Sequence, residues 1–112
     1  MLSLSPATRV FMALSPVDGR KSFNGLYTLV KETLHQDPTS GYLFVFTNKR
    51  RNRLKILFWD GSGLWLCTKR LEKNVFPWPS AEGVSRTLRP EQLQVLIHGL
   101  EATPRAQWYS TA

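Results

Sequence analysis

The spacing of apolar and polar positions along the first forty residues predicts a strand followed by a helix. Residues 9–14 form a short, apolar, β-prone run that predicts a strand, and the turn residues at 15–19 end it. From Ser22 the apolar positions recur at helical spacing, with Ser22 as a candidate cap and the turn residues at 37–41 as the stop. The apolar stripe of this helix consists of Phe23, Leu26, Tyr27, Val30 and Leu34.

The middle of the chain alternates in the manner of strands. Residues 42–47, 53–59 and 64–70 are rich in β-branched, aromatic and aliphatic side chains, and a polar loop and a Gly-containing turn separate them. This pattern predicts an antiparallel three-stranded meander. On its middle strand Leu54, Ile56 and Phe58 share one face, which we expect to pack on the helix.

The last third of the chain predicts one more strand and one more helix. Pro77 and Pro79 lack an amide donor, so residues 75–80 are not a central strand. Residues 83–88 are typical of an edge strand, and Pro90 suits the first position of a helix whose apolar stripe begins at Leu93. The sequence therefore predicts a single α+β domain over residues 1–101, with a flexible tail over residues 102–112. In this domain a small antiparallel sheet of about four to five strands packs against one main helix, and a second helix follows at the C-terminal end.

Charge is the first property that points to a partner. The 112 residues include 15 Lys and Arg against 8 Asp and Glu, which gives a net charge of +7. An excess of this kind attracts polyanions without selecting a sequence. The longest apolar runs fall far short of the roughly 20 residues that span a bilayer, and residues 1–6 lack the features of a secretory signal. We therefore expect a cytoplasmic protein that does not enter a membrane.

The basic residues concentrate around the predicted hairpin. They lie in its loop, in the strand that follows the loop, at the end of the neighbouring strand and just before the first helix. Because an arginine fork donates two hydrogen bonds to a phosphate or a guanine edge, we predict a nucleic-acid-binding surface there. The predicted residues are Lys49, Arg50, Arg51, Arg53, Lys55, Lys69, Arg70, Lys73, Arg20 and Lys21.

Two further interpretations stand beside this one. Charged residues in a hairpin loop are also explained by solvation and by the need to discourage edge-to-edge aggregation. Trp59, Trp65 and Trp78 would offer stacking surfaces near the hairpin, of the kind that single-strand binders use, but their alternation is equally that of a sheet core.

Residues that would carry catalysis are scarce. Asp18, Asp37 and Asp60 each stand at a predicted turn, which explains them without chemistry. His35 and His98 lie far apart with the single cysteine, Cys67, between them, so no zinc pattern exists, and Cys67 itself is expected to be a small core residue. We therefore predict a protein that binds rather than catalyses, without a metal or another cofactor.

Several blocks of sequence resemble one family. Residues 18–26, Asp-Gly-Arg-Lys-Ser-Phe-Asn-Gly-Leu, match a D-x-R-K-x-F-x-G-L signature. The similarity continues through residues 41–46, 55–64, 69–72 and 76–79, in that order, and covers roughly residues 5–101. The chain is similar to the TnpB-type protein, the second reading frame, of the insertion-sequence sixty-six family of transposable elements.

This resemblance implies an accessory protein of DNA transposition that works beside a separate transposase. DNA, the transposase and other products of the same element are the implied partners. The leading hypothesis is DNA binding through the basic hairpin. The alternative is an adaptor that docks on the transposase through an aromatic and proline surface made of Trp59, Trp65, Phe76 and Trp78.

Overall fold

Five strands form one sheet, and a helix covers each of its faces. The computed structural model describes residues 8–99. The elements in chain order are β1 (Val10–Ala13), α1 (Phe23–Glu32), β2 (Leu43–Thr47), β3 (Arg53–Trp59), β4 (Leu64–Arg70), β5 (Ser85–Leu88) and α2 (Pro90–Ile97). The predicted α+β class, the meander over β2, β3 and β4, the edge strand β5 and both helices are confirmed.

The strands lie in the order β4-β3-β2-β1-β5, so β4 and β5 form the two edges. Neighbouring strands are antiparallel except for β1 and β2, which run parallel. Parallel neighbours need a crossover connection, since a tight hairpin cannot join them. Helix α1 is that crossover, and it begins at the end of the sheet where β1 and β2 finish.

The two faces of the sheet bury separate cores. On one face Leu26 and Val30 of α1 pack with Phe44, Phe46 and Leu57. On the other face Leu93 and Leu96 of α2 pack with a second set of strand residues, which includes Val45, Leu54 and Ile56. The prediction that Leu54, Ile56 and Phe58 pack on the first helix is therefore wrong. Successive strand residues alternate between faces, and it is Leu57 that contacts the α1 side.

Phe76 and Trp78 belong to the core on the α2 side. Their exposed fractions are 0% and 1%, and the Trp78 indole Nε1 donates a hydrogen bond to the Ala13 carbonyl oxygen at 2.9 Å. The aromatic and proline segment thus closes the core beside β1 instead of presenting a docking surface. This corrects the partner-binding role predicted for these two side chains.

The start of α1 differs from the sequence prediction in one detail. Ser22 stands at the N-cap position, but its side chain makes no capping hydrogen bond. The predicted tail over residues 102–112 lies outside the described residues.

Candidate nucleic-acid interface

The turn between β2 and β3 is built around the side chain of Asn48. Its Oδ1 accepts hydrogen bonds from the backbone N–H groups of Asn52 and Arg53, both at 3.1 Å, and its Nδ2 donates to Asn52 Oδ1 at 2.8 Å. Arg51 has a φ of 58° inside this turn, a left-handed conformation that costs a non-glycine residue energy. These bonds fix the backbone that carries Lys49, Arg50 and Arg51.

The segment before α1 is held against this turn. Val17 pairs with Asn48 in a parallel bridge, and its N–H donates to the Thr47 carbonyl oxygen at 2.8 Å. The Lys55 ammonium donates to the carbonyl oxygens of Gly19 and Lys21, at 2.7 and 2.5 Å. A cleft of about 410 Å³ separates the two segments. Arg20 and Lys21 therefore lie beside the β2–β3 turn, although nearly thirty positions separate them from it in sequence.

The end of β4 reaches the same place from the other side. Arg70 lies directly opposite Arg53 in the antiparallel register. The N–H of Leu71 donates to the Asn52 carbonyl oxygen at 2.8 Å, and that of Phe76 donates to the Arg51 carbonyl oxygen at 2.7 Å. Lys73 stands between these two anchors, next to the turn.

Eight cations thus gather at the end of the sheet where β1, β2 and β4 finish and β3 begins. We call this set the basic surface. It consists of Arg20, Lys21, Lys49, Arg50, Arg51, Arg53, Arg70 and Lys73.

Acidic side chains neutralise this surface only in part. Arg20 pairs with Asp18 at 2.9 Å, and Arg70 pairs with Glu72 at 3.2 Å. The hydrogen bonds that Arg20 donates hold the pKa of Asp18 well below its ordinary value, so this carboxylate stays ionised. Within residues 8–99 the other six cations of the basic surface form no ion pair. All three described ion pairs are exposed, and such pairs contribute little stability.

Two of the ten predicted cations do not belong to the basic surface. Lys55 is used inside the fold, and burial lowers the pKa of its ammonium. Lys69 lies on the opposite face of the sheet, where its ammonium donates to the Ile97 carbonyl oxygen at the end of α2, at 2.8 Å. Both side chains satisfy backbone carbonyl groups: Lys55 holds the segment before α1 on β3, and Lys69 holds the end of α2 on β4.

The predicted stacking surfaces lie away from the basic surface. Trp59 and Trp65 stand at the end of the β3–β4 hairpin opposite to Arg53 and Arg70, a separation of roughly 20 Å along the strands. Trp65 is 43% exposed and stacks on Phe58, with ring centroids 6.2 Å apart. Trp78 is buried, so the expectation that these three tryptophans offer stacking surfaces beside the basic loop is wrong.

The sequence prediction missed Asn48 and the positioning role of Lys55. Asn48 stands at the first position of the polar loop, and asparagine side chains commonly bond to the backbone of turns, so this signal was present. For Lys55 no local signal exists, because its acceptors lie more than thirty positions earlier in the chain.

The remaining polar groups offer little for chemistry. In the part of the chain that the structure describes, no group of three or more His, Cys, Asp or Glu side chains is placed to hold a metal ion. The Asp60 carboxylate accepts bonds from the N–H groups of Ser62 and Gly63 and from the Trp65 indole, which hold its pKa at about 2. Over the same residues no helix is long and apolar enough to cross a membrane.

The resemblance found in the sequence is confirmed over most of the chain. The family described as IS66 Orf2 like protein matches residues 8–107, and the chain belongs to this family. It is thus an accessory protein of IS66 insertion sequences.

Two curated relatives come from Sinorhizobium fredii (strain NBRC 101917 / NGR234). The uncharacterized protein y4jC is 41% identical over 103 residues, which cover 92% of this chain and 88% of the relative. The uncharacterized protein y4hO is 38% identical over 112 residues, which cover 99% of this chain and 97% of the relative. No solved structure matches the chain significantly.

Proposed function

We propose that this accessory protein binds duplex DNA through the basic surface during transposition, without catalysing strand chemistry itself. The observation that supports this proposal is the meeting of eight cations from three separate segments, residues 20–21, 49–53 and 70–73, at one end of the sheet. Only Arg20 and Arg70 have acidic partners there. An array of cations with few counter-charges gains most from releasing the ions condensed on a phosphate backbone.

The shape of the basic surface favours the backbone of a duplex over a single strand. Single-strand binders combine a positive groove with exposed aromatic side chains on which bases stack. Trp59 and Trp65 lie at the far end of the β3–β4 hairpin, and Trp78 is buried. The basic surface instead brings cations from adjacent segments together around the β2–β3 turn, which suits contact with the phosphates of a duplex.

A salt titration of duplex binding tests the proposal. Each phosphate contact adds about 0.9 to the slope of log affinity against log salt concentration, so several contacts give a steep slope. Replacement of Arg50, Arg51 and Arg53 by Ala should weaken binding and lower the slope by about 2 to 3. A wild-type slope near zero, or an unchanged affinity in the triple variant, would refute DNA binding at this surface.

A matched control removes three charges elsewhere. Arg9, Lys31 and Arg89 lie at the opposite end of the sheet and helices, so their replacement by Ala leaves the same net charge as the test variant. We expect this control to keep most of the wild-type slope. Equal losses in the two triple variants would mean that net charge, and not the basic surface, determines binding.

The adaptor alternative makes a different prediction. With Phe76 and Trp78 in the core, its exposed aromatic surface reduces to the region of Trp59 and Trp65. If the protein docks directly on the transposase, the two should co-purify after nuclease treatment, and Trp65→Ala should abolish that association. Loss of the association on nuclease treatment would instead indicate that DNA bridges the two proteins.

A further inference from the structure

The strand β4 leaves one side of its backbone without a partner among the described residues. The N–H of Asp60 donates to the Gly63 carbonyl oxygen, and the N–H of Leu71 donates to the Asn52 carbonyl oxygen. These two residue pairs mark the hydrogen-bonded positions of the β3–β4 ladder. Such positions alternate in an antiparallel pair. The backbone groups of Leu64, Leu66, Thr68 and Arg70 therefore point outward from the sheet.

The sequence of β4 does little to protect this edge. Natural edge strands are kept short or carry prolines, bulges and charges that discourage pairing. β4 has seven residues without proline, and its first four, Leu64–Cys67, are apolar. The opposite edge, β5, has only four residues, and Arg86 and Thr87 occupy its centre.

The same strand is complementary to itself in one antiparallel register. When two copies pair about Cys67, Leu64 faces Arg70 and Leu66 faces Thr68, and all seven residues find a partner. The outward-pointing residues then occupy the hydrogen-bonded positions on both copies, as the ladder requires. A register shifted by two residues in either direction leaves residues at the ends of both strands unpaired.

The charges favour the same arrangement. β4 begins after Asp60, whose pKa is held at about 2, and ends in Lys69 and Arg70. Antiparallel pairing brings the basic end of each copy to the acidic turn of the other, whereas parallel pairing would place like charges together.

We propose that the β4 edge is a homodimer interface, in which two copies join their sheets into one of ten strands about a two-fold axis at Cys67. This proposal does not depend on DNA binding. The basic surfaces of the two copies, which lie at the ends of β4, then face in opposite directions. The dimer would present two separate sites for a polyanion.

Replacement of Thr68 by Pro tests the interface. Thr68 is exposed, and its N–H points outward, so proline removes a hydrogen bond to the second copy without removing one to β3. The matched control is Thr87→Pro on β5, where the exposed Thr87 likewise points its N–H away from the sheet, because Leu14 and Val84 mark the hydrogen-bonded positions there.

Sedimentation equilibrium of the full chain should show a dimer for the wild type and for Thr87→Pro. The dissociation constant of Thr68→Pro should rise at least about tenfold, since two symmetry-related bonds are lost, and its circular dichroism spectrum should stay that of the folded protein. A monomeric wild type, or equal dissociation constants for the two variants, would overturn the proposal. If Thr68→Pro does not fold, Thr68→Arg is the substitute. This variant places like charges near the two-fold axis without changing the backbone, and its dissociation constant should rise in the same way.

Cross-linking tests the register. Paired residues at a non-hydrogen-bonded position have Cα atoms about 4.5 Å apart, within the range of a disulfide. With diamide, the two Cys67 thiols should form one S–S bond and pass their two hydrogen atoms to the reagent, which becomes the hydrazine. Alkylation of Cys67 by a maleimide in the monomeric variant Thr68→Pro shows that the thiol is accessible. If the thiol is accessible and the wild-type dimer still does not cross-link, the register centred on Cys67 is wrong.

Discussion

The Lys55 ammonium lies 2.7 Å from the carbonyl oxygen of Gly19, a residue that precedes it by 36 positions. With its second bond, to the Lys21 carbonyl oxygen, this side chain ties the entrance of α1 to the middle of the sheet. Lys55, which the sequence pattern predicts to contact DNA, thus stabilises the fold and positions Arg20 and Lys21 beside the β2–β3 turn.

Replacement of Lys55 by Met should lower the free energy of unfolding by about 1–3 kcal/mol, because two carbonyl groups lose a charged donor. Urea unfolding measures this change. Lys73→Met removes the same charge from an exposed loop residue and should stay within about 0.5 kcal/mol of the wild type. Similar values for the two variants would mean that the Lys55 bonds contribute nothing to stability.

The Asn48 side chain makes a separate prediction about binding. Asn48→Ala should loosen the turn that carries Lys49, Arg50 and Arg51 and weaken duplex binding several-fold, because a mobile turn loses more entropy on binding. The slope of log affinity against log salt should stay the same, since the number of phosphate contacts is unchanged. The control Asn24→Ala, on the exposed side of α1, should alter neither quantity, and a lower slope for Asn48→Ala would show that contacts are lost as well.

Asp60 predicts part of the acid sensitivity of the protein. Hydrogen bonds from the Ser62 N–H, the Trp65 indole and the Gly63 N–H lower its pKa from 3.8 to about 2. A carboxyl whose folded-state pKa is lowered stabilises the fold fully above its unfolded pKa, and this stabilisation is lost as the pH falls from about 4 towards 2. Urea unfolding between these pH values should therefore depend less on pH for Asp60→Asn.

Trp65→Phe is the matched variant for this titration. It removes one of the donors and leaves the carboxyl in place, so the folded-state pKa of Asp60 should rise. The loss of stability on acidification should then be smaller than in the wild type and should end at a higher pH. An unchanged pH profile would show that the indole bond does not form in solution.

Trp78 should be among the positions most sensitive to substitution. Trp78→Phe keeps an aromatic ring but leaves the buried Ala13 carbonyl oxygen without its indole donor, which costs about 1–3 kcal/mol, and it adds a small cavity. Trp65→Phe changes a half-exposed ring and should cost less than about 1 kcal/mol in urea unfolding near neutral pH. Equal losses would contradict the assignment of Trp78 to the core.

Local patterns in the sequence were enough to predict much of this fold. Alternation between residues 42 and 70 predicts the meander, and the antiparallel register then brings Arg70 to Arg53. The parallel pairing of β1 with β2 has no local signal, because it depends on where α1 packs. The same limit applies to the Lys55 bonds, which join positions far apart in the chain.

The aromatic and proline segment shows a second limit. Phe76 precedes Pro77, and Trp78 stands between Pro77 and Pro79, in a stretch without regular structure that is typical of a surface loop. Their burial follows from the return of the chain across the α2 side of the sheet towards β5. Only the tertiary arrangement decides whether such an aromatic side chain closes a core or contacts a partner.

The bond between Trp78 and Ala13 joins residues 65 positions apart, and this distance has a consequence for biosynthesis. The ribosome delivers β1, α1 and the meander first, so the apolar α2 face of these strands stays open until residues 76–97 have been made. Nascent chains in this interval expose an aggregation-prone surface, as partly folded intermediates do. Translation that stops before β5 would therefore yield a product for chaperones and proteases to remove.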